Sequence, residues 1–164
     1  MYRRSAGLRV DGFLTIPLNG SGITNAIRAG RLLAETVLAS GRFTAAALWP
    51  YQVAYMRQCG AANASLDIFK RFMLTMPPPV VDFLFERRLL EPADLNRART
   101  GQEITFTLPG LLLRGLRGAS NLPSMLKLAG AFAASQKLKR IALRIPEHYD
   151  PEKIQAWAQK YDAV

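Results

Sequence analysis

The sequence predicts a mainly α protein with a little β, in which one strand-turn-helix unit is followed by a helical carboxy-terminal region. Three observations carry this. Apolar residues recur at helical spacing in window after window, most regularly over residues 22–40. A short aromatic and β-branched run, GFLTI at residues 12–16, ends at Pro17 and stands as the clearest strand. Prolines then punctuate the chain at positions suited to helix starts and stops: Pro50, Pro77 to Pro79, Pro92, Pro123 and Pro151.

The elements follow in order. After the strand comes PLNGSG, residues 17–22, and then Ile23, Ala26, Ile27, Gly30, Leu33, Ala34, Val37 and Leu38 line one helical face. Gly41 suits the residue just past that helix. Gly30 in mid-helix costs about 1 kcal/mol relative to alanine, which implies that another backbone packs close against it. Pro50 fits a first helical turn, and Val53, Ala54, Met56, Leu66, Phe69, Phe72 and Met73 extend a helix from Tyr51 to about Met76. The Pro77-Pro78-Pro79 run ends it. Val80 to Leu90 reads as a short helix, and Pro92-Ala93-Asp94 opens another that stops near Gly101. The weak alternation of EITFTL, residues 103–108, suits a strand or an extended connector. Leu111 to Leu116, Pro123 to Lys139 and Pro151 to Tyr161 are helical. A boundary falls near 41–50, dividing residues 1–41 from 42–164.

An apolar share of 49% in 164 residues excludes a disordered chain and supplies a core. Twenty-two Lys and Arg against twelve Asp and Glu give a formal charge of +10, which favours an acidic partner. Cys59 is the only cysteine, so an internal disulfide, a thiolate zinc cage and a self-held iron–sulfur cluster are excluded. With His148 as the only histidine and no close acidic cluster, the sequence predicts no metal site. A Cys59–His148 nucleophilic pair is the weaker reading beside a small buried thiol and a surface histidine. The positive start, Met1 to Arg4, is followed by a stretch cut at Arg9 and Asp11, so no secretion signal is read, and no window is apolar enough to span a bilayer. A reducing, cytoplasmic location is expected, with peripheral membrane attachment open.

Asn19-Gly20 suits a hairpin turn, but a helix follows where the second strand would be. The glycines then serve either simple chain reversal or a cradle, because backbone N–H groups converge at a helix start and accept an anion or a cofactor's polar edge. Gly20-x-Gly22-x-x-Asn25 misses the dinucleotide fingerprint at its third position and lacks the acidic residue beyond. A phosphate loop is excluded, since no Gly-Lys-Ser or Gly-Lys-Thr follows.

Gly12-Phe13, Pro17, Gly20-Ser21-Gly22-Ile23, Ala26-Ile27, Gly30-Arg31-Leu32 and Ala34-Glu35 resemble the second flavin-binding motif of the geranylgeranyl reductase family. The related electron-transfer flavoprotein:ubiquinone oxidoreductases share the three-residue gap between the Gly-aromatic pair and the proline. The resemblance covers about the first forty residues. It implies that residues 1–41 are the carboxy-terminal end of an FAD-binding domain, with Asp11, Gly12, Phe13, Pro17, Asn19, Gly20, Ser21, Gly22 and Ile23 against FAD. Glycines there let the backbone approach the ring, and N–H groups at a positive helix end stabilise the negative charge of reduced flavin. Where the family carries a Gly-Asp whose carboxylate binds ribityl hydroxyls, this chain has Leu8-Arg9, with Asp11 nearby but out of register.

The family's GxGxxG-bearing half is not in this sequence, so the expected partner is an FAD-binding amino-terminal half or a second chain. Completed in this way, the protein would be an FAD-dependent oxidoreductase that reduces carbon–carbon double bonds of isoprenoid lipids; alone, it would be inactive. A quinone-reducing variant would need an iron–sulfur partner. Residues 42–164 would hold substrate and face the membrane. Between Ile104 and Pro146 stand Arg114, Arg117, Lys127, Lys137, Lys139, Arg140 and Arg144 with no acidic residue. A solvated basic face, a helix lying on an anionic membrane surface, and nucleic-acid binding all remain open, the last weakened by the scarcity of aromatics, Phe106 and Phe132. Leu111, Leu112, Leu113, Leu116, Met125, Leu126 and Leu128 would line a lipid passage or form plain core. A small basic helical module that binds membrane or protein without catalysis is the alternative.

Overall fold

The computed structural model describes residues 22–99 and 108–164, and among them every regular element is helical. The predicted strand at 12–16, the glycine turn before Gly22 and residues 103–107 of the EITFTL run lie outside the described residues.

Helix α1, Ile23–Ser40, starts at Gly22 and stops at Gly41, whose left-handed φ of 60° lets its N–H close on the Val37 carbonyl at 2.8 Å. Helix α2, Ala45–Tyr55, begins earlier than the proline suggests. Thr44 caps it, its Oγ1 accepting from the Ala47 amide, and Pro50 sits inside the helix instead of in its first turn. The chain runs without a break through a π-helical turn, Met56–Gly60, into α3, Ala61–Leu74.

Two further helices precede the second half. Helix α4, Pro78–Glu86, has Pro78 in its first turn and ends short of Leu90, because Leu89 and Leu90 turn inward with both amides on the Leu84 carbonyl. Helix α5 spans Pro92–Arg99. Helix α6, Leu108–Gly118, takes in the last residue of the EITFTL run, so that residue is helical and not extended. A single 3₁₀ turn, Ala119–Asn121, leads to α7, Leu122–Leu143, capped by Asn121 through the Ser124 amide. Helix α8, Pro151–Asp162, is capped by Asp150.

The centre is the pair α3 and α7. Ala61 meets Ala142 in one cluster, Ser65 Oγ lies 2.6 Å from Ser135 Oγ, and Phe69 shares a second cluster with Leu128 and Met125, so the two helices run antiparallel. The first cluster adds Trp49 and Val53 from α2, Met56 from the π-helical turn, and Ile145 and Ile154 from the carboxy-terminal segment. Two indole N–H groups fasten that segment: Trp49 Nε1 donates to the Pro146 carbonyl and Trp157 Nε1 to the Ile141 carbonyl, each at 2.8 Å. Around the second cluster Leu66, Leu84, Leu89 and Leu90 bring in α4. A third cluster joins α1 to α2 through Ala29, Tyr51, Tyr55 and Cys59.

The described residues show which face of α1 turns inward. Its inward face is Asn25, Ala29, Leu32, Leu33 and Thr36, and of the apolar stripe only Leu33 and Val37 turn partly inward. Ile23, Ala26, Ile27, Gly30, Ala34 and Leu38 are exposed. Among the described residues nothing approaches Gly30, where an added Cβ would meet open space.

The basic stretch is likewise not wholly solvated. Arg114 Nη1 donates to Asp94 Oδ2 at 2.7 Å and to the Leu89 carbonyl at 2.6 Å, with the two side chains only 15% and 7% exposed. Asp94 Oδ2 also accepts from the Glu91 amide that opens α5. Removing one member of such a pair strands a buried charge, so Arg114→Met is expected to lower unfolding stability by about 3–5 kcal/mol in urea denaturation. Combining it with Asp94→Leu should recover much of that loss; an additive double mutant would show that the pair is not coupled.

Candidate functional site

The chemistry that the sequence singles out converges on the amino-terminal end of α1. Of the predicted flavin-contacting residues, Gly22 and Ile23 are described, whereas Asp11, Gly12, Phe13, Pro17, Asn19, Gly20 and Ser21 lie outside the described residues. Gly22 is the N-cap and, having no side chain, adds no capping hydrogen bond; its carbonyl accepts from the Ala26 amide at 2.8 Å. No acidic side chain stands in the first turn. Among the described residues, the first turn therefore carries the partial positive charge of the helix start without a carboxylate of its own.

One turn in, Asn25 is 4% exposed, and its Nδ2 has no hydrogen-bond partner among the described residues. A buried amide donor left unpaired costs on the order of 1–3 kcal/mol. That cost is removed when an acceptor from outside the chain is supplied. A flavin's pyrimidine edge is such an acceptor, so an orphaned donor beside an uncapped helix end fits the group that the sequence motif suggests. Asn25 was legible only as the mismatch in the glycine fingerprint. What singles it out is burial, which a linear motif does not report.

Behind Asn25 the α1–α2 contact holds Ala29, Tyr51, Tyr55 and Cys59. Cys59 Sγ reaches the Tyr55 carbonyl at 3.6 Å. Burial pushes the Cys59 thiol above its ordinary range, with the nearby Tyr55 side chain and Arg28 opposing but not reversing the shift. The same burial raises Tyr51 and Tyr55. A thiol held protonated among aromatic rings is a packing group and not a nucleophile. His148 is exposed at the other end of the chain, as the sequence predicts, and among the described residues no group of His, Cys, Asp and Glu is arranged to hold a metal ion. The described residues also contain no helix long and apolar enough to cross a membrane.

The leucines proposed for a lipid passage separate. Met125 and Leu128 pack against the second cluster, while Leu113, Leu116 and Leu126 are exposed. The side chains of Leu111 and Leu112 lie outside the described residues.

No family model matches the chain. Among curated proteins it aligns with a digeranylgeranylglycerophospholipid reductase from Sulfolobus acidocaldarius, 26% identical over 157 residues, which cover 94% of this chain and 34% of the relative. The chain is a distant homologue of that reductase and spans about a third of its length.

Two measurements check the site. Asn25→Leu removes the orphaned donor and is expected to raise the thermal midpoint of the isolated chain; a clear drop would show that Asn25 is already satisfied. Cys59 should react with a thiol reagent at mildly alkaline pH only after denaturation, and rapid labelling of the folded chain would contradict its burial.

Proposed function

We propose that this chain is part of an FAD-dependent oxidoreductase, distantly related to digeranylgeranylglycerophospholipid reductase, that reduces carbon–carbon double bonds of isoprenoid lipids. The observation that carries the reading is an alignment running through nearly the whole chain but over only a third of the relative, with the flavin-type glycine motif at its head. In this reading residues 1–41 close one side of the flavin site, residues 42–164 hold substrate, and a GxGxxG-bearing polypeptide supplies the rest.

When bound, FAD supplies the hydride chemistry. The part played by this chain is positioning and electrostatics. Amides of Gly22 and Ile23 at the positive end of α1, joined by those of Gly20 and Ser21 that precede them in sequence, would favour the negative charge that reduced flavin carries near N1 and O2. Asn25 adds a side-chain donor at the same helix end. The absence of an acid from the first turn avoids a competing carboxylate.

The outward face of α1 supports a partner. Ile23, Ile27 and Leu38 are 75%, 68% and 85% exposed, and Ala26, Gly30 and Ala34 complete an uncharged strip between them. An uncharged apolar face this long is normally covered. Gly30, with open space beside its Cα, would allow a partner's backbone to approach closely. The sequence-derived expectation of a packed glycine is then met by a second polypeptide and not among the described residues.

Co-expression with a GxGxxG-bearing polypeptide encoded next to this chain should yield a yellow complex that retains FAD, while the chain purified alone with added FAD stays colourless. Ile27→Asp should leave the isolated chain folded and abolish the complex. The reading fails if no such polypeptide is encoded there and the chain alone binds no flavin, or if a complex forms and remains colourless.

A further inference from the structure

A second exposed face, on α7, has a different composition. Leu122, Leu126, Ala129 and Ala133 succeed one another at helical spacing, and Lys137, Arg140 and Arg144 continue the same line; all are exposed. The opposite side of α7 carries its buried residues Ser124, Ser135, Leu138 and Ala142. Over a helix of about 33 Å, at 1.5 Å per residue, one outer line is therefore apolar in its first half and cationic in its second. Leu122 and Leu126 are 62% and 64% exposed, and just before them on α6 Leu116 is 76% exposed.

Charge decides what fits this face. No acidic residue occurs between Ile104 and Pro146, a stretch that includes all of α6 and α7. A surface of one sign with bare leucines at one end matches an anionic bilayer, where leucines enter the boundary between headgroups and acyl chains and cations sit among phosphates. Nucleic acid would satisfy the cations and leave the leucines in water. The line carries no aromatic on which bases could stack.

We propose that the outer face of α7 docks this protein peripherally on an anionic lipid surface, with Leu122 and Leu126 inserted and Lys137, Arg140 and Arg144 on the headgroups. The docking is separate from the flavin reading, because it uses neither α1 nor a cofactor.

The test is sedimentation of the full chain with vesicles. At low salt the chain should partition onto phosphatidylcholine vesicles containing phosphatidylglycerol, should bind pure phosphatidylcholine far more weakly, and should be released as ionic strength rises. Each cation at an anionic surface is worth roughly fivefold in partitioning, so K137Q/R140Q/R144Q should weaken binding about a hundredfold. L122S/L126S should weaken it with the charge unchanged. R28Q/R31Q/R42Q, which removes the same charge from the α1 side, should have little effect. The proposal is overturned if the wild-type chain ignores anionic vesicles, if the α1-side variant weakens binding as much as the α7 variant, or if the α7 variants lose affinity for duplex oligonucleotide while vesicle binding stays intact. Because no flavin enters these measurements, their failure leaves the oxidoreductase reading standing, and the failure of that reading leaves them unaffected.

Discussion

The antiparallel contact between α3 and α7 is the constraint on which the rest of the fold depends. Small residues set the distance: Ala61, Ala64 and Ala142 are at most 2% exposed, and between them Ser65 and Ser135 satisfy each other's hydroxyls. Because this strip is narrow, larger side chains gather at its two ends. One end collects the indoles and Ile154 of the carboxy-terminal segment, and the other the leucines around α4. Interior volume used by one helix pair leaves two long faces, those of α1 and α7, without cover among the described residues.

Helix existence was legible from residue spacing, since a period near four with proline and glycine stops needs only local information. Orientation was not. The face of α1 through Ile23, Ile27 and Leu38 is recognisable as apolar, yet periodicity cannot say whether such a face meets its own chain or another. Pro50 misled for a related reason: proline marks where a donor is missing, and its neighbours decide whether the loss matters. Thr44, whose hydroxyl caps the helix, was the better marker of the start. Arg114 was legible only as one cation of a basic stretch because Asp94, which pairs with it, stands twenty positions away in the chain.

The candidate site was half legible. Its glycines and the resemblance they carry are sequence features, and the distant homology agrees with them. Asn25 is different in kind. It stands out by an amide enclosed without a partner among the described residues, a property of packing in three dimensions. The sequence spacing that made it look like a defect in a dinucleotide fingerprint is the spacing that sets it one turn inside α1, beside the exposed helix start.

The widened turn at Met56–Gly60 closes its ring from the Ala61 N–H back to the Met56 carbonyl, five residues instead of four. That surplus residue resets the phase between the two straight segments on either side. Upstream, α2 shows Tyr51 and Tyr55 to α1 and Trp49 and Val53 to the carboxy-terminal segment; downstream, α3 aims its small residues at α7. Deleting any one residue from the turn would rotate everything beyond it by about 100°. Length in this stretch is thus as constrained as composition, and tolerance to indels should vanish there while substitutions that keep side-chain size survive.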